Sequence, residues 1–210
     1  MTVRFFIRHY IKRRLYQKFV MLNYNKKREV ILAYSKKYGC TVFVETGTFL
    51  GDTTDYLKEH YSKIYTIELQ EDLFKNAAER FKHIDKIQVL KGDSSIVLKD
   101  IVPAITGTTL FWLDGHYSSS FVSEGQFIQT AKGVKESPVV EELEIILKAG
   151  LGKNVILIDD ARCFNGTSDY PSITELKLLL KKFNIGDSQL NIKNDMIRIV
   201  PRSTGNKYGG

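Results

Sequence analysis

Six acidic residues stand at or just beyond the ends of five short apolar runs. They are Glu45, Glu68, Asp93, Asp114 and the pair Asp159-Asp160. Loops and helix starts favour aspartate in any protein, which accounts for one or two of these acids but not for all six. In a parallel sheet the carboxyl ends of the strands share one edge, where α/β proteins bind their ligands. We therefore expect these carboxylates to line one ligand-binding pocket.

The turn after the first apolar run, residues 45–54, indicates the kind of ligand. Gly47 and Gly51 flank the start of a helix, where a ligand can approach the backbone closely and free amides suit a carboxylate. The turn has one of the three glycines of a dinucleotide fingerprint and lacks the Gly-Lys-Ser/Thr of a phosphate-binding loop, so an NAD(P)-dependent oxidoreductase or epimerase is disfavoured. Glu68 suits the two hydroxyls of a ribose, and Asp93 can accept from an adenine amine. This pattern indicates an adenosine compound with a cationic centre.

The acids after the fourth and fifth runs predict a second site. If those strands are neighbours, Asp114 lies about 5 Å from Asp159 or Asp160, and two charges at that distance repel by about 3 kcal/mol. A bound cation or a shared proton removes this cost, and carboxylate oxygens favour Mg²⁺, Ca²⁺ or Mn²⁺. Such a metal would activate an acceptor hydroxyl, whereas without it Asp114 or His116 could act as general base. Alternatively, Asp160 caps the following segment or pairs with Arg162, and His116 is an ordinary loop histidine.

The elements that position these residues alternate along the chain. Predicted strands at 41–45, 64–68, 87–90, 110–114 and 155–160 are separated by predicted helices at 52–61, 71–82, 94–101 and 138–149. A further helix opens at Ser172, with Glu175 at capping-box spacing, and the runs 189–193 and 196–200 predict an antiparallel hairpin. We therefore expect an α/β fold, a three-layer α/β/α sandwich with a seven-stranded, mostly parallel sheet.

Two further features of this pattern concern local structure. Ser137 is the expected N-cap of the fourth helix, with Pro138 as its first residue. The stretch 115–136 shows neither helical nor strand periodicity, and a loop of this length in a compact domain is often a lid or a binding loop.

Composition places the chain among ordinary globular proteins. Its 210 residues are 43% hydrophobic and 26% charged, and no apolar run is long enough for a transmembrane helix. Two cysteines, Cys40 and Cys163, exclude a disulfide-rich fold and a four-thiolate zinc site and favour a reducing compartment, so we expect a cytoplasmic protein.

Charge is concentrated at the N-terminus. Residues 1–38 hold eleven Lys or Arg against one acid, Glu29. We expect a basic, helical extension over 1–38, a ligand-binding domain over 39–202 and a flexible tail over 203–210. The extension could contact nucleic acid or a membrane surface, although packing on the domain or on a partner subunit is the favoured interpretation. The sequence does not predict the oligomeric state.

Three segments, in order, resemble the motifs of class I S-adenosylmethionine-dependent methyltransferases. Val-Phe-Val-Glu-Thr-Gly-Thr-Phe-Leu-Gly is similar to the first motif, Tyr-Thr-Ile-Glu-Leu to the second and Leu-Lys-Gly-Asp-Ser to the adenine-contact segment. The resemblance covers residues 41–200 and implies S-adenosylmethionine as cofactor. It implies the methionine end of the cofactor at Glu45, Gly47, Thr48, Phe49 and Gly51, the ribose at Glu68, and the adenine at Asp93 and Ser94.

Within that superfamily, residues 111–118 and 157–160 resemble the macrocin-O-methyltransferase-like, sugar-modifying branch. This resemblance implies a divalent metal, such as Mg²⁺, on Asp114, Asp159 and Asp160. The chain has Asp-Gly-His where the branch often has Asp-x-Asp-His, so His116 is a candidate for the missing ligand or base. The expected function is O-methylation of a sugar or another small hydroxyl acceptor. The alternatives are a non-catalytic or nucleic-acid-binding module on the same scaffold and, less favoured, the oxidoreductase or epimerase.

Overall fold

The computed structural model describes residues 24–115, 120–123, 126–129, 137–167 and 169–202. Within these ranges the chain forms nine strands and six α-helices. The strands are β1 (Val42–Thr46), β2 (Lys63–Glu68), β3 (Ile87–Lys91), β4 (Thr109–Leu113), β5 (Ser120–Ser123), β6 (Gln126–Gln129), β7 (Val155–Ile158), β8 (Leu190–Lys193) and β9 (Met196–Ile199). The helices are α1 (24–38), α2 (Asp52–Leu57), α3 (Glu71–Phe81), α4 (Ser94–Ile101), α5 (Val139–Lys148) and α6 (Ile173–Lys182).

Seven strands form one sheet in the order β3-β2-β1-β4-β7-β9-β8. The first five are parallel, and β9 runs antiparallel to both β7 and β8. Thr46 at the end of β1 pairs with Ile67 on one side and with Leu113 on the other. The strand order therefore reverses between β1 and β4, and this switch point is where such sheets bind ligands.

Helices cover both faces of the sheet. On one face, Ile31 of α1, Leu57 of α2 and Phe81 of α3 belong to a buried cluster that includes Phe43 of β1. On the other face, α4, α5 and α6 pack in a second cluster that includes Val44, the next residue of the same strand. Successive strand residues point to opposite faces, so a strand covered on both sides is apolar throughout. The predicted three-layer α/β/α sandwich with a C-terminal antiparallel hairpin is confirmed.

Helix α1 lies within the segment predicted as a basic extension. Lys27, Ile31 and Ser35 are all buried, and their four-residue spacing places them on one side of the helix. This side packs against the sheet. The predicted boundary at residue 38 stays a prediction, and residues 1–23 and 203–210 lie outside the described residues.

Two local expectations differ from the structure. The stretch 115–136, expected to lack strands, contains an antiparallel pair in which Ser120 of β5 faces Gln129 of β6. Each of these strands has two adjacent apolar residues between polar ones, which is neither an alternating pattern nor a continuous apolar run. Helix α5 begins at Val139 with Pro138, and not Ser137, in the N-cap position, and it has no side-chain cap because proline carries no side-chain acceptor. The capping box of Ser172 and Glu175 forms as predicted.

Among the described residues, no helix combines the length and apolar character that a membrane crossing requires.

Candidate functional site

Backbone hydrogen bonds continue past the strand ends and align the loops beside the switch point. The Gly47 amide donates to the Ile67 carbonyl at 2.9 Å, and the Asp114 amide donates to the Thr46 carbonyl at 3.1 Å. The Asp159 amide donates to the Leu113 carbonyl at 3.0 Å. The ends of β2, β1, β4 and β7 therefore form one continuous edge.

Glu68 is held at this edge by backbone amides. Its side chain is buried at the end of β2, where one carboxylate oxygen accepts from the Phe49 amide at 2.8 Å and the other from the Gln70 amide at 2.8 Å. Burial raises the pKa of Glu68, while these two amides oppose the shift. Phe49 has φ 51°, a left-handed conformation that is costly for an aromatic residue. The hydrogen bond from its amide to Glu68 helps to stabilise this conformation. The carboxylate is thus fixed to the β1–α2 turn.

The two glycines of the β1–α2 turn are required by the packing of the protein itself. Gly47 has φ 82°, and a Cβ there would lie 2.5 Å from the Asp114 carbonyl oxygen. Gly51 also has φ 82°, and its Cβ would lie 2.8 Å from the Phe81 ring. The absence of side chains lets the turn approach both β4 and α3. The predicted approach of a cofactor to Gly47, Thr48 and Gly51 stays a prediction.

Glu45 is buried between the sheet and α2. Its Oε2 accepts from the Thr54 hydroxyl at 2.8 Å and from the Thr66 hydroxyl at 2.8 Å, and Thr66 also contacts the Thr48 hydroxyl at 2.6 Å. Burial raises the pKa of Glu45 to about 7. This polar cluster ties β1, β2 and α2 together below the turn. The predicted contact of Glu45 with the methionine end stays a prediction.

Asp93 follows β3 and is the N-cap of α4. Its Oδ1 accepts from the Ser95 amide at 2.9 Å and from the Ser95 hydroxyl at 2.6 Å. Capping is therefore one role of this aspartate, and it fixes the start of α4 at the same edge as Glu68. Ser94 beside it is buried. The predicted adenine contacts of both residues stay predictions.

Strands β4 and β7 are neighbours, as expected, and a lysine pairs with the two acids that follow β7. The Lys27 ammonium is 2.6 Å from Oδ1 and 2.7 Å from Oδ2 of Asp159, and 3.7 Å from Oδ1 of Asp160. Burial and the negative charges of Asp159 and Asp160 raise the pKa of Asp114 well above its ordinary value. The attraction of Asp159, followed by that of Asp160, outweighs burial and raises the pKa of Lys27. A side chain of α1 therefore offsets part of the negative charge at this edge.

Asp160 has a second cationic partner. The Arg162 guanidinium donates to its Oδ1 at 2.7 Å and also pairs with Asp195 in the turn between β8 and β9. This contact is the Arg162 alternative raised by the sequence. Among the described residues no group of three or more His, Cys, Asp or Glu side chains is arranged to hold a metal, and His116 lies outside them. With Lys27 and Arg162 in place, the described part of the site does not fit the predicted divalent metal.

Two charged residues at this edge were not identified from the sequence. Lys27 was counted only within the basic N-terminal run, although it precedes the buried Ile31 by one helical turn. Glu142 on α5 is 1% exposed, and its Oε1 has no hydrogen-bond partner among the described residues. Burial raises the pKa of Glu142 to about 7, opposed by the Ser94 and Thr46 hydroxyls. In both cases the available signal was a charged residue within the apolar stripe of an amphipathic helix.

Glu142 lines a narrow cleft between α5 and the ends of β4 and β7, together with Gly115, Ser137, Asp159 and Tyr170. A Cβ on Gly115 would lie 3.4 Å from Glu142 Oε1, so the carboxyl is packed directly beneath the residue after Asp114. The cleft thus connects the interior between the sheet and α5 with the acidic edge.

No protein-family model matches the sequence, and comparison with curated protein sequences finds no match. Solved structures do share the fold. An O-methyltransferase from Bacillus cereus in complex with S-adenosylhomocysteine superposes with a TM-score of 0.56 at 13% identity, covering 88% of this chain and 90% of that one. The S-adenosylhomocysteine-bound methyltransferase PaMTH1 from Podospora anserina gives 0.52 at 15% identity over 83% and 77% of the two chains. The N-methyltransferase NodS from Bradyrhizobium japonicum gives 0.52 at 14% identity over 85% and 96%. The chain therefore has the Rossmann-like fold of these methyltransferases.

Proposed function

We propose that this chain transfers a methyl group from S-adenosylmethionine to a small-molecule acceptor, and that the receiving atom is a hydroxyl oxygen of a sugar or a similar compound. The observation that carries the proposal is the Glu68 carboxylate. It is buried at the end of β2, beside the switch point, and is held there by the Phe49 and Gln70 amides. From this position an acid can accept both hydroxyls of a ribose. Fold neighbours crystallised with S-adenosylhomocysteine support the same ligand.

We place the reacting end of this cofactor near Asp114, one of the acids beside the switch point. Asp159 and Asp160, after β7, are paired with Lys27 and Arg162 and are therefore not counted as partners of a cationic ligand. When bound, S-adenosylmethionine supplies a sulfonium whose methyl group is open to displacement.

The protein's task in such a displacement is to align the acceptor with the methyl group, and alignment of this kind contributes several kcal/mol. The Gly47 turn and the Asp114 backbone are in direct contact, so the ends of β1 and β4 form one rigid wall. We place the adenosine at Glu68 and Asp93 and the acceptor near Asp114. Asp114 and His116 are the groups proposed to receive the acceptor proton, and no step is assigned to a metal.

Calorimetric titration of the full chain with S-adenosylhomocysteine tests this proposal. We expect saturable binding, and a loss of at least about tenfold in affinity for Glu68→Gln, because the amide would place a donor where the carboxylate accepts. Glu71→Gln, three residues after Glu68 and exposed to solvent on α3, is the matched control and should bind normally. Absence of binding at millimolar concentration, equal affinity in Glu68→Gln, or tighter binding of NADH would contradict the proposal.

A further inference from the structure

Lys27 lies where the sequence predicts a divalent metal. Its ammonium is within 2.7 Å of both carboxylate oxygens of Asp159 and 3.7 Å from Asp160. The Lys27 side chain is 10% exposed and that of Asp159 is 4% exposed, so the pair is enclosed rather than exposed to solvent. Contacts of this length between an ammonium and a carboxylate are charge-assisted hydrogen bonds, the stronger class.

The other hydrogen bonds of these carboxylates also disfavour metal binding, because they occupy oxygens that a metal would need. Asp159 Oδ1 also accepts the Asp160 amide at 2.7 Å, and Asp160 Oδ1 accepts from Arg162 at 2.7 Å. Mg²⁺ requires near-octahedral oxygen ligands at about 2.0–2.1 Å. An ion at that distance from Asp159 would have to displace the ammonium, because both cations would compete for the same two oxygens.

The backbone also directs Lys27 toward this place. Ile31, one turn later on α1, is fully buried against the sheet and anchors that side of the helix. Tyr24, one turn earlier, has its ring centroid 5.7 Å from the Lys27 ammonium. The ammonium is thus held between a packed helix and two acids, so its position is set by the packing of α1.

We propose that the Lys27 ammonium is the resident cation of this site, that it takes the place of the divalent metal, and that methyl transfer by this chain is independent of metal. Only the last clause rests on the proposed function. The first two concern the acids after β7 and hold whether or not the chain binds S-adenosylmethionine. Lys27 acts here as a positioning residue that holds the carboxylates of Asp159 and Asp160 in place.

The test is a titration of the full chain with MnCl₂, in which free Mn²⁺ is followed by electron paramagnetic resonance. We expect no stoichiometric site in the wild type below millimolar concentration. Lys27→Met removes the ammonium and keeps a stem of similar length, so Mn²⁺ affinity should rise at least about tenfold as the acids become available. Lys27→Arg retains the charge and should gain nothing. Lys26→Met, an exposed neighbour on the same helix, is the surface control.

One Mn²⁺ bound by the wild type at micromolar concentration would overturn the proposal. A folded Lys27→Met that gains no Mn²⁺ affinity would overturn it equally. If Lys27→Met does not fold, Lys27→Gln replaces it. A gain in Mn²⁺ affinity is again expected, and no gain in a folded variant would again overturn the proposal. S-adenosylhomocysteine titrations of the same samples separate the two hypotheses, because a chain that binds neither ligand contradicts the proposed function and leaves the assignment of Lys27 standing.

Discussion

Replacement of the buried Glu142 by glutamine should raise the free energy of unfolding at alkaline pH, and this gain should be absent at acid pH. Burial raises the pKa of Glu142 to about 7 from an ordinary value of 4.5. The unfolded chain therefore releases this proton at lower pH than the folded chain does. The stabilising contribution of the protonated group is fully present below pH 4.5 and is lost as the pH rises through about 7.

The size of this effect follows from the pKa difference. One pKa unit corresponds to 1.36 kcal/mol, so a shift from 4.5 to about 7 corresponds to about 3 kcal/mol. Glutamine is neutral throughout and does not pay this cost. The free energy of unfolding of Glu142→Gln, relative to wild type, should therefore increase by about 3 kcal/mol between pH 4 and pH 8. Glu45 also has a raised pKa, but it is present in both proteins and cancels in the difference.

Urea unfolding followed by tryptophan fluorescence measures this difference, because the single tryptophan, Trp112, is buried in β4. Glu144→Gln is the matched control, since Glu144 lies on the same helix, is partly exposed and pairs with Lys148. Its difference from wild type should vary little with pH. A pH-independent difference for Glu142→Gln, or one that falls as the pH rises, would show that Glu142 is not buried in the way described.

Two further predictions concern the frame of the site. Gly47→Ala should lower the free energy of unfolding by more than about 2 kcal/mol, because the new Cβ would clash with the Asp114 carbonyl and alanine would have to adopt a left-handed backbone. Gly150→Ala, at φ 92°, meets no atom and should lower it by only about 1 kcal/mol, so equal losses in thermal unfolding would refute the contact. Ser172→Ala should lower stability by about 1 kcal/mol through loss of its capping box with Glu175, and an unchanged urea midpoint would show that the box contributes nothing.

Much of the fold could be predicted because its signals are local. The apolar runs that become β1 to β4 and β7 are flanked by turn residues, and burial on both faces of the sheet leaves few polar residues within them. The capping box at Ser172 likewise depends on residues three apart. The hairpin of β5 and β6 was not predicted because each strand, Ser-Phe-Val-Ser and Gln-Phe-Ile-Gln, has two adjacent apolar residues between polar ones, which is neither an alternating pattern nor a continuous apolar run.

The acidic edge was predicted only in part, for a physical reason. The positions of Glu68, Asp114 and Asp159 follow from the rule that parallel strands end at one edge. Their partners do not follow from it, since Lys27 is 132 residues from Asp159 and meets it only through the packing of α1 on the sheet. Charge repulsion among the acids predicted a bound cation or a shared proton, and the sequence alone did not indicate that a lysine ammonium lies beside them.

A crystal structure of the full chain with S-adenosylhomocysteine tests the central claim most directly. We expect both ribose hydroxyls within hydrogen-bond distance of the Glu68 carboxylate and the sulfur directed toward Asp114, with Lys27 still seated on Asp159. A nucleoside bound away from the ends of β1 and β2, or crystals grown at saturating ligand that hold none, would contradict the account.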